Sequence, residues 1–143
     1  MTLYLDTSSL IKLFVEEPGG DDVRQDLSEA AAVATSLITY AEARATLARL
    51  RRSGNIGSDG FLLAKRDLDA DWSRYLVVEP TLTLCRAAGE LAERYRLRGF
   101  DSIHLASFLH LVRGDRSEVR FSSFDRELSR AATKARRAAR RSG

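Results

Sequence analysis

The sequence predicts an α/β fold, a central parallel sheet covered by helices on both faces. Three observations carry that expectation. Four short apolar runs alternate with longer helical patterns along the chain, and strands joined through helices pair in parallel by right-handed crossovers. The 143 residues are 44% hydrophobic, 30% charged and contain only two prolines, which suits one domain with a real core. Such a composition excludes a collagen repeat, low complexity and gross disorder.

Each element has its own signal. Leu3-Tyr4-Leu5 reads as a first strand, ending at Asp6-Thr7-Ser8-Ser9, four residues suited to capping a helix. Leu10, Ile11, Leu13 and Phe14 form a brief apolar helix that Glu17-Pro18-Gly19-Gly20 breaks. A polar helix follows from Asp21 to about Ala30, then a second strand, Ala32–Thr35, and a long helix capped by Ser36 and running to about Ser53. Gly54, Gly57 and Gly60 mark a loop, and Phe61, Leu68, Trp72 and Tyr75 lie close to one face of the next helix. Leu76-Val77-Val78 is a third strand closed by Pro80. Leu84, Ala88, Leu91, Ala92 and Tyr95 then follow the spacing of a buried helical stripe, as do Leu105, Phe108, Leu109 and Val112 in a helix that begins near Asp101. Val119-Arg120-Phe121 is the fourth strand, and Leu128, Ala131, Ala132 and Ala135 give the last helix a thin apolar face.

Cys85 is the one cysteine. A disulfide framework or a cysteine-built zinc site is thereby excluded, and a reducing compartment is expected. No apolar run approaches the ~20 residues of a membrane span, and Met1–Ser9 lacks the basic and apolar regions of a signal peptide. The expectation is a cytoplasmic single domain over residues 1–143 that engages no membrane. The net charge of +3 hides an asymmetry: taking Lys134, Arg136, Arg137, Arg140 and Arg141 from the 23 basic residues leaves 18 against 20 acids. The body is slightly acidic and the tail, from about residue 134, basic and helical. That tail reads as a solvated helix end complementing the helix dipole, with contact to phosphates or an acidic partner as the other reading.

In folds of this class ligands bind beyond the carboxyl ends of the strands, and acids collect there. Asp6 directly follows the first strand, Asp125 follows the fourth, and Asp101 opens a helix after Arg98-Gly99-Phe100. Taken singly, each reads as a helix N-cap. Glu42 is different, since it lies within a helix on or beside its apolar side, with Ile38 and Thr46 rather than cations at i−4 and i+4. A buried carboxylate needs a partner, so a metal or another segment must supply it, unless the side chain reaches solvent along the helix edge. Carboxylates a few Å apart repel by about 1 to 4 kcal/mol per pair. A hard divalent cation resolves that repulsion, and Mg²⁺ or Mn²⁺ prefers oxygen ligands, binds phosphate and activates water.

Four blocks carry a family resemblance: Leu3-Tyr4-Leu5-Asp6-Thr7-Ser8-Ser9-Leu10-Ile11-Lys12-Leu13, Glu42 in an Ala/Arg-rich helix, Asp101-Ser102-Ile103-His104-Leu105-Ala106, and Phe121-Ser122-Ser123-Phe124-Asp125-Arg126-Glu127-Leu128. In order and spacing they resemble the PIN-domain ribonucleases, and within them the VapC-type toxins of bacterial toxin–antitoxin pairs. The resemblance spans nearly the whole chain, and any single block would be weak. It implies a PIN-like α/β/α sandwich with four to five parallel strands and Mg²⁺- or Mn²⁺-dependent hydrolysis of RNA. It also implies homodimers, and inhibition by an antitoxin whose C-terminal part enters the acidic groove. Asp6, Glu42 and Asp101 match the three core metal-site acids, Asp125 the fourth and more variable one, and Ser8 the assisting hydroxyl. The chain departs from the family in ending on the basic stretch Ala135–Gly143, where a short apolar strand is usual.

Other residues carry less. His104 reads as a packed or hydrogen-bonded histidine and His110 as a surface one, and two histidines support neither a histidine metal site nor a Ser-His-Asp triad. Cys85 reads as core. Tyr40, Trp72 and Tyr75 have the type to stack on bases, but their spacing favours packing. Arg44, Arg49, Arg51 and Arg52 either line a phosphate path leading from Glu42 or form a solvated face. The leading expectation is therefore an endoribonuclease yielding a 5′-phosphate and a 3′-hydroxyl, inactivated by Asp6→Ala or Asp101→Ala with the fold intact. A PIN-like module that binds RNA without cutting is the alternative. A receiver-like signalling domain is a weaker one, wanting an acidic pair after the first strand and a lysine after the last. Neither G-x-G-x-x-G nor G-x-x-x-x-G-K-[ST] occurs.

Overall fold

A computed structural model describes residues 1–114 and 118–143. Strands β1 (Thr2–Leu5), β2 (Ala32–Ser36), β3 (Leu76–Val78) and β4 (Val119–Ser122) form one parallel sheet in the order β3-β2-β1-β4. β1 is central and buried along its whole length. Because side chains alternate across a strand, Leu3 and Leu5 enter one core and Tyr4 the other.

The first core is closed by α1 (Thr7–Leu10), α2 (Gly20–Glu29), α3 (Ile38–Arg52) and α4 (Ser58–Trp72), through Leu10, Val23, Ala43, Leu47 and Leu68. The second is closed by α6 (Gly99–Gly114) and α7 (Arg126–Arg141), through Leu105, Phe108, Leu128 and Ala132. Helix α5 (Leu82–Tyr95) packs outside α6 around Val78, Ala88 and Ala106. The expected α/β/α sandwich is the fold.

Topology decides where a site belongs. The chain steps outward from β1 through β2 to β3, then returns across the sheet to place β4 on the other side of β1. The direction reverses between β1 and β4, and a crevice forms beyond the carboxyl ends of strands at such a point. Asp6 follows β1 and Asp125 follows β4, so both stand on that crevice.

Several boundaries differ from the sequence expectation. The first helix starts at Thr7, capped by Asp6, and continues as a 3₁₀ turn over Ile11–Leu13. Ser36 stays within β2, although its hydroxyl accepts a bond from the Ile38 amide. α4 ends at Trp72, which leaves Tyr75 in the turn before β3, edge-on to the Trp72 ring. α6 begins two residues before Asp101, so Asp101 lies in its first turn and is not its cap. Cys85 is only half-buried, its sulfur 3.5 Å from the Pro80 carbonyl, because it sits beside the Leu84–Ala88 stripe and not on it. α7 runs unbroken to Arg141, so the basic tail is helical, and among the described residues the sheet has four strands and no fifth. No described helix is long and apolar enough to cross a membrane.

Candidate active site

The crevice is a cleft of about 470 Å³ whose walls include Asp6, Ser8, Glu42, Asp101 and Asp125. All five site residues expected from the sequence therefore share one cavity. A larger hollow of about 530 Å³ between β3, α5 and α6 is mainly aliphatic and gathers none of these acids.

Asp6 is the most constrained of the four. It is buried at the end of β1, where its Oδ1 accepts from the Ser8 hydroxyl at 2.7 Å and the Ser9 amide at 3.0 Å. Oδ2 accepts from the Ser123 hydroxyl at 2.5 Å. A carboxylate offers about four acceptor positions, so three donors fix the group and leave room for one further interaction. Ser8 also accepts from the Phe124 amide, and Ser123 from the Asp125 amide. These hydroxyls tie the β4–α7 turn to the start of α1. Asp125 caps α7 by accepting from the Leu128 amide, so the capping role and a place in the cleft coexist.

Glu42, half-buried and without a cation one turn away on its own helix, receives its partners from other segments. Thr7 Oγ1 donates to Glu42 Oε1 at 2.6 Å, and His104 Nε2 stands 2.9 Å from the same oxygen. On the other side of the imidazole, Nδ1 is 2.9 Å from the Tyr4 hydroxyl. The imidazole thus bridges the Tyr4 hydroxyl on the central strand and the Glu42 carboxylate on α3. Burial pushes the Glu42 carboxyl upward, but the bonds from His104 and Thr7 and the His104 charge outweigh it and hold it below the ordinary value. Burial also drives the Tyr4 phenol well upward, reinforced by the Asp6 and Glu42 charges, so it stays a neutral hydrogen-bonding group.

Asp101 stands at the opposite extreme. Burial raises its carboxyl above the ordinary range, and the charge of Asp125 raises it further against the pull of Arg98 and His104. The Arg98 guanidinium is 3.4 Å away but largely in solvent, where such a pair contributes little. Asp101 and Asp125 thus repel each other in the cleft.

The donor set, carboxylate oxygens with a serine hydroxyl, fits a hard divalent cation. Among the described residues no three Asp, Glu, His or Cys side chains stand close enough to cage an ion. An ion held by one or two carboxylates and its own waters is the mode Mg²⁺ favours.

Sequence reasoning missed Thr7, Ser123 and the place of His104. The weak signals were there: His104 lies three residues after Asp101, hence on the same helix face, and Ser123 lies two before Asp125. Nothing in sequence links Thr7 to Glu42, 35 residues away. Of the arginines expected to line a path, Arg49 reaches the cleft, joined by Lys12 and Arg98. Arg44 instead bonds the Tyr40 hydroxyl, while Arg51 and Arg52 are exposed at the end of α3. Tyr40, Trp72 and Tyr75 pack edge-to-face on one another.

Fold and site together define a class: a parallel α/β/α domain with a carboxylate-lined cleft at its topological switch point. The chain belongs to the PIN-domain family, whose pattern it matches over residues 3–134. It is 35% identical over 107 residues to Ribonuclease VapC45 of Mycobacterium tuberculosis (strain CDC 1551 / Oshkosh), covering 75% of this chain and 74% of that protein. The identity and coverage are the same for Ribonuclease VapC49 of Mycobacterium tuberculosis (strain ATCC 25618 / H37Rv). Its fold is similar to that in FitAcB from Neisseria gonorrhoeae, with a TM-score of 0.64 and 18% identity over 92% of this chain and 93% of that one. VapBC2 from Rickettsia felis, bound to a DNA fragment from their promoter, gives a TM-score of 0.54 and 12% identity over 86% and 100%.

Proposed function

We propose that this chain is an endoribonuclease that hydrolyses RNA phosphodiester bonds with Mg²⁺ or Mn²⁺, and that it is the toxin of a toxin–antitoxin pair. The observation that carries the reading is the meeting of Asp6, Glu42, Asp101 and Asp125 in one cleft. The relatives named as VapC ribonucleases support it.

In this reading one or two of Asp6, Glu42, Asp101 and Asp125 would hold the cation directly and the others through its waters, and when bound it would lower the pKa of a water and neutralise charge on the phosphate. Asp6 is fixed by its three donors, and Glu42 by Thr7 and His104, so that neither needs to reorganise when substrate arrives. Asp101, its carboxyl raised by burial and by Asp125, is the group suited to take the proton from the attacking water. The water oxygen bonds to phosphorus as the bond from phosphorus to O3′ breaks and O3′ takes a proton from solvent, leaving a 5′-phosphate and a 3′-hydroxyl. Arg98 and Arg49 on the cleft wall offer cations to the flanking phosphates, whereas Lys12 is held by Glu17 at 3.0 Å.

The fold shared with FitAcB and with VapBC2 supports a small antitoxin as the protein partner. A cytoplasmic homodimer completes the reading, to be measured as the mass of the purified protein in solution. The test of activity is incubation with total RNA in Mg²⁺, in Mn²⁺ and in EDTA, beside Asp101→Asn. Discrete cleavage that needs both the ion and Asp101 is expected. RNA binding without cleavage under any divalent ion would overturn the enzyme reading.

A further inference from the structure

We propose that Phe100 is a stacking platform for a nucleobase of the bound RNA. The proposal rests on the ribonuclease reading and names a side chain that grips its substrate beside the acids.

Phe100 is 60% exposed, the most exposed aromatic side chain among the described residues. It occupies the first turn of α6, immediately before Asp101. With Glu42, Arg98, Gly99 and Asp101 it lines a hollow of about 470 Å³ that adjoins the acidic cleft and shares Glu42, Arg98 and Asp101 with it. A single exposed ring needs no explanation by itself; its place on the wall shared with the acidic cleft is what gives this one meaning.

The other aromatic side chains near the site are already engaged. Phe124, which precedes Asp125 as Phe100 precedes Asp101, has the Lys12 ammonium 4.4 Å from its ring centroid. Its edge also covers Gly19, where an added Cβ would lie 2.5 Å from the ring. Tyr4 stacks on Phe121, and Tyr40, Trp72 and Tyr75 occupy one another. Among the described residues no ring or cation is stacked on Phe100.

What could cover it follows from the hollow's other walls. The Arg98 guanidinium suits a phosphate, while Glu42 and Asp101 suit the ion that bridges to one. A ring, a cation and two carboxylates match the parts of a nucleotide better than those of an apolar peptide side chain. A base inside a duplex presents only its edges, so stacking on a side chain requires an unpaired, splayed base. Every base has a π-face, so Phe100 supplies affinity without choosing sequence.

The experiment uses a short single-stranded oligoribonucleotide carrying 2-aminopurine, and its duplex with the complementary strand. Each is given with Mg²⁺ or Mn²⁺ to the wild type, Phe100→Ala and Phe100→Trp. We expect cleavage of the single strand over the duplex, and quenching of 2-aminopurine at protein excess. Phe100→Ala should raise KM about tenfold and lose the quenching, whereas Phe100→Trp retains both. A wild type that cuts RNA alongside a Phe100→Ala variant with unchanged KM overturns the platform and leaves the ribonuclease standing. The same holds if Phe100→Ala weakens only inhibition by the antitoxin, which would make the ring a protein contact. A wild type that cuts neither RNA overturns both readings.

Discussion

His104 and Glu42 lie 62 residues apart in the chain and meet through Nε2 and Oε1 at 2.9 Å. That bond, with the one from Thr7 to the same oxygen, makes an acid tenable on the half-buried side of α3. It also orders the second layer of the cleft, because Tyr4 holds the far side of the imidazole from the central strand.

His104→Leu removes the donor while keeping an apolar side chain in the core. Leaving a half-buried carboxylate short of its partner costs about 1 to 3 kcal/mol, to be read as a lower urea midpoint at neutral pH. His104→Gln, whose amide donates in roughly the place of Nε2, should recover a good part of the loss. Equal stability of His104→Leu and the wild type would mean that Glu42 gains nothing from the histidine.

The shifted carboxyls give opposite pH dependences. Glu42 is held below its ordinary value of 4.5, so its contribution to stability is present above that pH and fades as pH falls through the folded value. Asp101 is raised above its ordinary 3.8, so folding loses stability as pH rises from there through the folded value. In EDTA at neutral pH, Glu42→Gln should therefore melt below the wild type and Asp101→Asn above it. Both differences should shrink towards zero under acid. Melting curves of the three proteins between acid and neutral pH decide this, and matching slopes for the two variants would contradict it.

Loss of an acid should separate stability from activity. Asp6 receives three hydrogen bonds and caps α1, so Asp6→Ala is expected to cost about 1 to 3 kcal/mol as well as cleavage. Asp101 is partly exposed and makes one solvent-screened pair with Arg98, so Asp101→Ala should lose cleavage with no fall in melting temperature. Mg²⁺ or Mn²⁺ at about a hundredfold its dissociation constant should stabilise the wild type by about 2.7 kcal/mol. EDTA should reverse that gain, and Asp101→Ala should largely lack it.

Gly19 and Phe124 form a second test pair. Gly19 has φ +91°, and a Cβ there would come 2.5 Å from Phe124 Cε1. Gly19→Ala then carries both a left-handed backbone penalty and a clash, together at least about 1 to 2 kcal/mol. In a Phe124→Ala background only the backbone part remains. A double-mutant cycle should show coupling of about 0.5 kcal/mol or more, whereas strict additivity would place the ring elsewhere in solution.

Much of this molecule was legible in the sequence. The alternation of short apolar runs with helical stripes reports which faces leave water, and that constraint is local and periodic. It gave the four strands and their parallel arrangement, and it placed Asp6 and Asp125 at one sheet edge. Cap chemistry was legible for the same reason: Asp6 and Asp125 do cap α1 and α7. The boundaries that moved, at Thr7, Gly99 and Trp72, are helix ends, where too few apolar positions remain to show a period.

The sequence by itself determined the class of fold, the edge of the sheet where acids collect and four acids that line one cleft there. Tertiary structure alone decided what each acid is worth. It assigned Thr7 and His104 to Glu42, gave Ser123 to Asp6, left Asp101 facing Asp125, and exposed Phe100 while packing Tyr40, Trp72 and Tyr75 against one another. Hydrophobic periodicity is written along a single element, whereas a hydrogen bond across 62 or 117 residues depends on the register and crossing of elements that only the assembled sheet brings together.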